Sequence, residues 1–229
     1  MKKALAHRFN LIFLTATVCL LSVSSYSQKK TKEFTGMLEY RISPRDTSLQ
    51  GLVDDNSMVI YTNDTITRME NFTGSLGKQT TIRHMGLNKS YLMIDVSDTM
   101  RFAIQTDLNL TDSLKKLTKY TFEKKLFKRK ILGMKAKRMM VNHPDFEEPI
   151  EFLYLKKYSR EYINNFEFIP GLLVKYSVVT PDGVLDYELV KFSQYTPDRD
   201  LFGVPSNYKR VSFDEFMDQM LEIRNLTPE

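Results

Sequence analysis

Apolar and polar residues alternate one by one along most of this chain, and turn-forming residues interrupt the alternation roughly every ten positions. In 36–42, Leu38, Tyr40 and Ile42 fall on one side and Met37, Glu39 and Arg41 on the other. A period of two belongs to a half-buried strand, because successive side chains of an extended backbone point to opposite faces. The same reading predicts strands over 57–62, 65–72, 79–85, 89–96 and 100–106, then 120–130, 135–142 and 150–155, and finally 172–180 and 184–192. Asn63-Asp64, Gly86-Leu87-Asn88, Ser97-Asp98 and Pro181-Asp182-Gly183 supply the connections. Gly, Asn and Asp tolerate the left-handed backbone of tight turns, and Pro presets the entry angle. Strands joined so closely pair antiparallel. The fold class is therefore mainly β, with an α+β element from two helical segments.

Those two segments break the rhythm. In 111–117, Leu110, Leu114 and Leu117 recur at helical spacing behind a capping Thr111 or Asp112, with Lys115, Lys116 and Lys119 at the far end. In 212–224, Ser212 and Glu215 stand at the two positions of a capping box. Phe213, Phe216, Met217, Met220 and Leu221 then form an apolar stripe suited to packing on a sheet. No composition shift or low-complexity stretch divides 28–229, which reads as one domain.

The first 27 residues read differently. Lys2, Lys3 and Arg8 precede an apolar run over 11–21, and Ser25 and Ser27 set small residues before Gln28. That order is the pattern of a secretory signal, with cleavage expected between Ser27 and Gln28. The run is too short to cross a bilayer, for which about 20 apolar residues are needed, and no later segment reaches that length. Cys19, the single cysteine, lies inside the leader behind Val18 rather than a small residue, so no lipid anchor is read. The remainder has no disulfide, thiolate metal site or cysteine nucleophile, and must be held by its apolar core. Its composition suits a bacterial periplasm.

Charge narrows the partners. The chain carries a net +5, and removing Lys2, Lys3 and Arg8 leaves the exported part nearly balanced. So weak a field argues against nucleic acid and gives no general attraction to an acidic membrane. Lys124-Lys125-Leu126-Phe127-Lys128-Arg129-Lys130 is the local exception, and its plain reading is a solvated strand whose lysines block edge pairing.

The residues nominate no catalytic chemistry. His143-Pro144-Asp145-Phe146-Glu147-Glu148, preceded by Met139 and Met140, is the densest set of potential metal ligands, but an imidazole beside proline between two strands fits a turn. His84 sits in an alternating strand, and Gly74-Ser75-Leu76-Gly77 lacks the spacing of a nucleophile elbow. No phosphate-cradling glycine loop, zinc helix or redox dithiol occurs. The expectation is a non-enzyme with no cofactor and no metal.

Several phrases, in chain order, resemble a family of exported Bacteroidota proteins. Phe34-Thr35-Gly36-Met37-Leu38-Glu39-Tyr40 resembles its opening strand, Thr67-Arg68-Met69-Glu70 its Arg-x-Glu strand, and Ile131-Leu132-Gly133-Met134-Lys135-Ala136-Lys137 its central strand. Ile169-Pro170-Gly171-Leu172-Leu173 resembles the phrase that names the GLPGLI family, without its first glycine. Phe202-Gly203-Val204-Pro205-Ser206-Asn207-Tyr208 resembles the closing phrase of a related uncharacterised periplasmic family. Ala136 stands where relatives often carry cysteine. Both families look similar to the LolA-type lipoprotein-carrier fold, which implies a curved antiparallel sheet or half-barrel whose hollow face is covered by two short helices.

Two small helices leave a wide concave sheet incompletely filled, and the residual hollow would be apolar. Tyr40, Met58, Ile60, Tyr91, Met93, Phe102 and Ile104 are the candidates to line it. Flexible Met and broad aromatic rings suit a variable acyl chain. The expected function is a periplasmic binder or carrier of an apolar small molecule or lipid. The alternative is a cell-envelope interaction or structural module that docks an envelope protein, with 124–130 as the contact; a hydrolase is the third reading.

Overall fold

The computed structural model describes residues 33–46, 56–63, 65–73, 77–97, 99–107, 120–159, 166, 168–180 and 183–226. The leader and the helix predicted over 111–117 lie outside the described residues. The first six strands form a meander: β1 (Gly36–Pro44), β2 (Ser57–Asn63), β3 (Ile66–Thr73), β4 (Gly77–His84), β5 (Lys89–Asp95) and β6 (Arg101–Asp107). A second meander follows with β7 (Thr121–Ile131), β8 (Met134–Asn142), β9 (Ile150–Leu155), β10 (Leu172–Thr180) and β11 (Gly183–Gln194). The chain continues through β12 (Lys209–Val211) into α1 (Phe213–Leu226), the one α-helix among the described residues.

β1 pairs antiparallel with β11 and fuses the two meanders into one sheet, in the order β12-β6-β5-β4-β3-β2-β1-β11-β10-β9-β8-β7. The sheet-dominated fold expected from the alternation is present. Among the described strands the pairing is antiparallel except at β12, which the alternation does not predict and which runs parallel to β6. A three-residue strand is too short to display a period.

Gly36 makes the junction possible. Its φ of +146° is a conformation L side chains rarely adopt, and a Cβ there would lie 2.0 Å from the Ser193 carbonyl oxygen. Gly171 serves a similar close approach, since a Cβ would lie 2.6 Å from the Leu155 carbonyl oxygen. The glycines of two of the phrases quoted above thus stand where another backbone passes too near for a side chain.

The main core lies around the fused strands. Phe34, Leu38, Tyr40 and Ile60 pack with Met139, Phe152, Leu172 and Tyr176, all essentially inaccessible to solvent. Rings interlock across it, with Tyr40 and Tyr176 edge to face at 6.0 Å, Phe152 and Phe166 at 5.2 Å, and Tyr176 and Tyr187 stacked at 4.7 Å. Two smaller clusters serve the β4–β6 end. Ile82, Met93 and Ala103 pack under Val204 and Tyr208, while Phe102, Ile104 and Val211 pack with Phe216 of α1.

α1 begins as the sequence predicts. The Ser212 hydroxyl accepts from the Glu215 N–H at 3.2 Å, and the Glu215 carboxylate accepts from the Ser212 N–H at 2.7 Å. The Ser212 N–H, and after it the Ser212 side chain, hold the Glu215 carboxyl below its usual range. The stripe behind it is only partly used. Phe216 meets Phe102 edge to face at 5.4 Å, whereas Phe213, Met217 and Leu221 remain exposed. No helix among the described residues is long and apolar enough to cross a membrane.

Candidate functional site

Strand register decides which candidate residues can meet. Residues directly opposite in neighbouring strands share a face. Leu38, Ile60, Met69, Thr81, Leu92 and Ile104 form one such row, and Tyr40 lies opposite Met58 in the row beside it. Tyr40, Met58, Ile60, Phe102 and Ile104 therefore occupy one face. Tyr91 and Met93 lie on the other, in register with Ile82 and Thr80 respectively.

The five on the shared face are further divided. Tyr40, Met58 and Ile60 belong to the main core, whereas Phe102 and Ile104 join Val211 at the opposite end of the first meander. Tyr40 and Ile60 are fully buried. The Tyr40 hydroxyl donates to the Leu173 carbonyl at 2.7 Å, and burial pushes its pKa well above the ordinary value. On the other face, Met93 is buried beneath Val204 and Tyr208, and the Arg210 guanidinium lies 5.9 Å over the Tyr91 ring.

That second face carries a charged lock. Arg68 and Glu70 sit two apart on β3, joined at 2.7 Å, and Lys78 reaches the other Glu70 oxygen at 3.0 Å. Arg68 also donates to the Leu201 carbonyl at 3.0 Å, fixing the turn Arg199–Phe202 against the sheet. The Tyr208 hydroxyl is pushed up to about 12 by burial and then by its hydrogen bond to Asp95. Arg68 of the Arg-x-Glu phrase therefore holds the turn that leads into the closing phrase, and Asp95 of β5 holds that phrase's last residue.

The His143–Glu148 stretch borders an open cleft of about 670 Å3, lined by Arg45, Asp46, Asp145, Phe146, Glu147 and Glu148 with Gly183 and Val184 opposite. His143 is committed locally: its Nδ1 accepts from the Asp145 N–H at 3.2 Å and its ring lies 4.5 Å from Tyr120. Met139 is sealed in the core and Met140 sits opposite Glu151. Among the described residues no three His, Cys, Asp or Glu side chains converge as metal ligands. A second cleft, about 320 Å3, separates α1 from the start of β6 between Met100, Arg101, Lys209 and Glu222. His84 closes β4 with its ring 6.4 Å from Tyr91, and burial lowers its pKa.

The β7–β8 hairpin presents a different surface. β7 is the terminal strand of the sheet. Its ladder with β8 slips between Lys125, opposite Arg138, and Arg129, opposite Ala136. Leu126, Phe127 and Lys128 thus face the single residue Lys137 and bulge from the sheet. In a regular strand one of two adjacent side chains would turn inward. Here both emerge, Leu126 at 93% and Phe127 at 77% exposure. At the turn, Leu132 and Gly133 adopt φ of +47° and +74°, the left-handed pair of a type I′ hairpin. Leu132 is half exposed in a conformation unfavourable for a branched side chain.

Eight Lys and Arg side chains fall between Lys124 and Arg138. Glu123 pairs with Lys125, and Glu151 of β9 holds both Arg129 and Arg138. Among the described residues Lys124, Lys128, Lys130, Lys135 and Lys137 have no ion-pair partner, and Lys130 lies opposite Lys135 in the ladder. The charge of 124–130 is legible in the sequence, whereas the joint outward projection of its Leu and Phe comes from the bulge and has no local signal.

No protein-family model matches the chain, and no curated protein matches it. Among solved structures, PNGF-II in space groups C2 and P21 is similar at 14% identity, with TM-scores of 0.46 and 0.48. Each match covers 81% of this chain and 32% or 33% of that one, so the chain spans about a third of the length of those structures.

Proposed function

We propose that this chain is an exported interaction module of the bacterial cell envelope, docking through the β7–β8 hairpin without covalent chemistry. The reading is supported by a contrast between the two ends of the sheet. β6 is covered by β12 and by Phe216, but β7 is terminal and sets Leu126 and Phe127 in solvent. Lysines on an edge strand deter unwanted pairing. Two adjacent exposed apolar side chains work against that purpose and mark a contact site. The signal-like leader and the resemblance of several phrases to periplasmic families support an envelope location.

The carrier reading calls for a half-barrel with two lids and open space beside Tyr40, Met58 and Ile60. Those side chains are instead packed against the protein's own residues. Crosslinking in intact envelopes tests the module. A partner captured by the parent should be lost from the Lys124→Glu, Lys125→Glu, Lys128→Glu variant, and identical capture by both would reject the hairpin as the contact. Mass spectrometry of protein isolated from its own compartment should find it empty; a stoichiometric lipid would restore the carrier.

A further inference from the structure

We infer that the surface docked by the β7–β8 hairpin is an anionic phospholipid bilayer. This rests on the hairpin being the docking site, and adds the chemistry of what meets it. Three features of the hairpin select the occupant.

The bulge at Leu126, Phe127 and Lys128 interrupts the β7–β8 ladder and bends β7, so the free edge of the strand is irregular at the same place. A partner strand adding to this edge would need an unbroken row of backbone donors and acceptors, so β-strand addition is disfavoured where the apolar side chains emerge. Those side chains also project outward, and neither cleft described above includes a hairpin residue. A soft planar surface accepts such knobs without a pre-shaped socket.

Charge then fixes the sign of that surface. Lys124, Lys128 and Lys130 flank the knobs and carry no ion-pair partner among the described residues. Lys135 and Lys137 add to the same field from β8. The near-neutral balance of the part that follows the leader hides this concentration, because most of the compensating carboxylates lie elsewhere. Cations beside exposed Leu and Phe are the pairing that anionic headgroups and the acyl boundary beneath them accommodate, each basic residue adding electrostatic attraction and each apolar one a buried area.

The strain at Leu132 is consistent with this. Asn or Gly would relieve the left-handed turn, yet the position carries a half-exposed leucine on the same hairpin. As a third apolar contact at the tip, it has a use that offsets its backbone cost.

The test is flotation of the protein, isolated from its own compartment, with phosphatidylglycerol–phosphatidylcholine vesicles and with phosphatidylcholine vesicles alone. Binding is expected only to the anionic vesicles and should fall steeply with added salt. The double variant Lys124→Glu, Lys128→Glu should weaken it by about a hundredfold. The double variant Leu126→Asp, Phe127→Asp should weaken it by at least about tenfold while leaving the melting temperature unchanged, which separates lost contact from lost fold. No binding to anionic vesicles, or binding indifferent to both variants, overturns the proposal. If vesicles fail while envelope crosslinking yields a protein lost on charge reversal, the module stands and its occupant is proteinaceous. If both fail, the hairpin is not a docking site.

Discussion

The Tyr40 hydroxyl donates to the Leu173 carbonyl across 2.7 Å, although the two residues are 133 positions apart. Tyr40 belongs to the first meander and Leu173 to the second, beside the register shift that interrupts the β9–β10 ladder. The bond is fully buried and ties the two halves of the sheet at their junction. Tyr40→Phe keeps the ring and removes the donor, so it should cost about 1–3 kcal/mol for a carbonyl left unsatisfied in the core. Urea unfolding of parent and variant measures it, and a loss within error would show that the carbonyl finds another donor.

Two glycines with positive φ should respond very differently to alanine. Gly36 faces the Ser193 carbonyl oxygen at a distance no Cβ can occupy, whereas a Cβ at Gly133 would have nothing within 4 Å. Gly133→Ala should cost about 1 kcal/mol, the backbone term alone. Gly36→Ala should cost more than about 3 kcal/mol, because backbone must also move. Equal losses would mean that the β1–β11 junction yields more easily than its geometry indicates.

His84 gives stability a pH dependence of predictable sign. Burial lowers its pKa from 6.5, so the unfolded chain takes up the proton first as pH falls. Stability from the neutral imidazole is complete above 6.5 and declines as pH falls through 6.5 toward the lower folded value. The difference in unfolding free energy between parent and His84→Gln, followed across this range, should therefore narrow on acidification. A constant difference would show that the ring is equally solvated in both states.

The hairpin residues should be separable from stability. Leu126→Ser and Phe127→Ser remove side chains that pack against almost nothing, so each should change stability by less than about 0.5 kcal/mol. Leu132→Asn should raise it by about 0.5–1 kcal/mol by relieving the left-handed turn. Thermal unfolding checks all three, and a large loss at 126 or 127 would mean that these side chains support the fold.

Much of this architecture can be read directly from residue order. Eleven strands lie within a few positions of the alternating runs, and Ser212 and Glu215 cap α1 as their spacing implies. Long-range pairing is a different matter. Nothing in 36–42 or 184–192 says that they are neighbours, because each is satisfied by any edge with a compatible face. Facing was also hidden. Tyr91 and Met93 alternate as regularly as Phe102 and Ile104, but the turns between β4, β5 and β6 set the parity, and it places them on opposite sides. At Leu126 and Phe127 the period of two fails altogether. A bulge depends on how many residues the partner strand offers, which the local sequence does not record.

The fusion of β1 with β11 has a kinetic consequence. Gly36 pairs with Gln194 across most of the chain, so the first strand of the sheet depends for a neighbour on one of the last. Closing so distant a pair is slow, since the entropy of the intervening chain must be overcome before contact rewards it. In that interval the inner edge of β1 stands open, and early association between chains should begin there rather than at the lysine-studded outer strand.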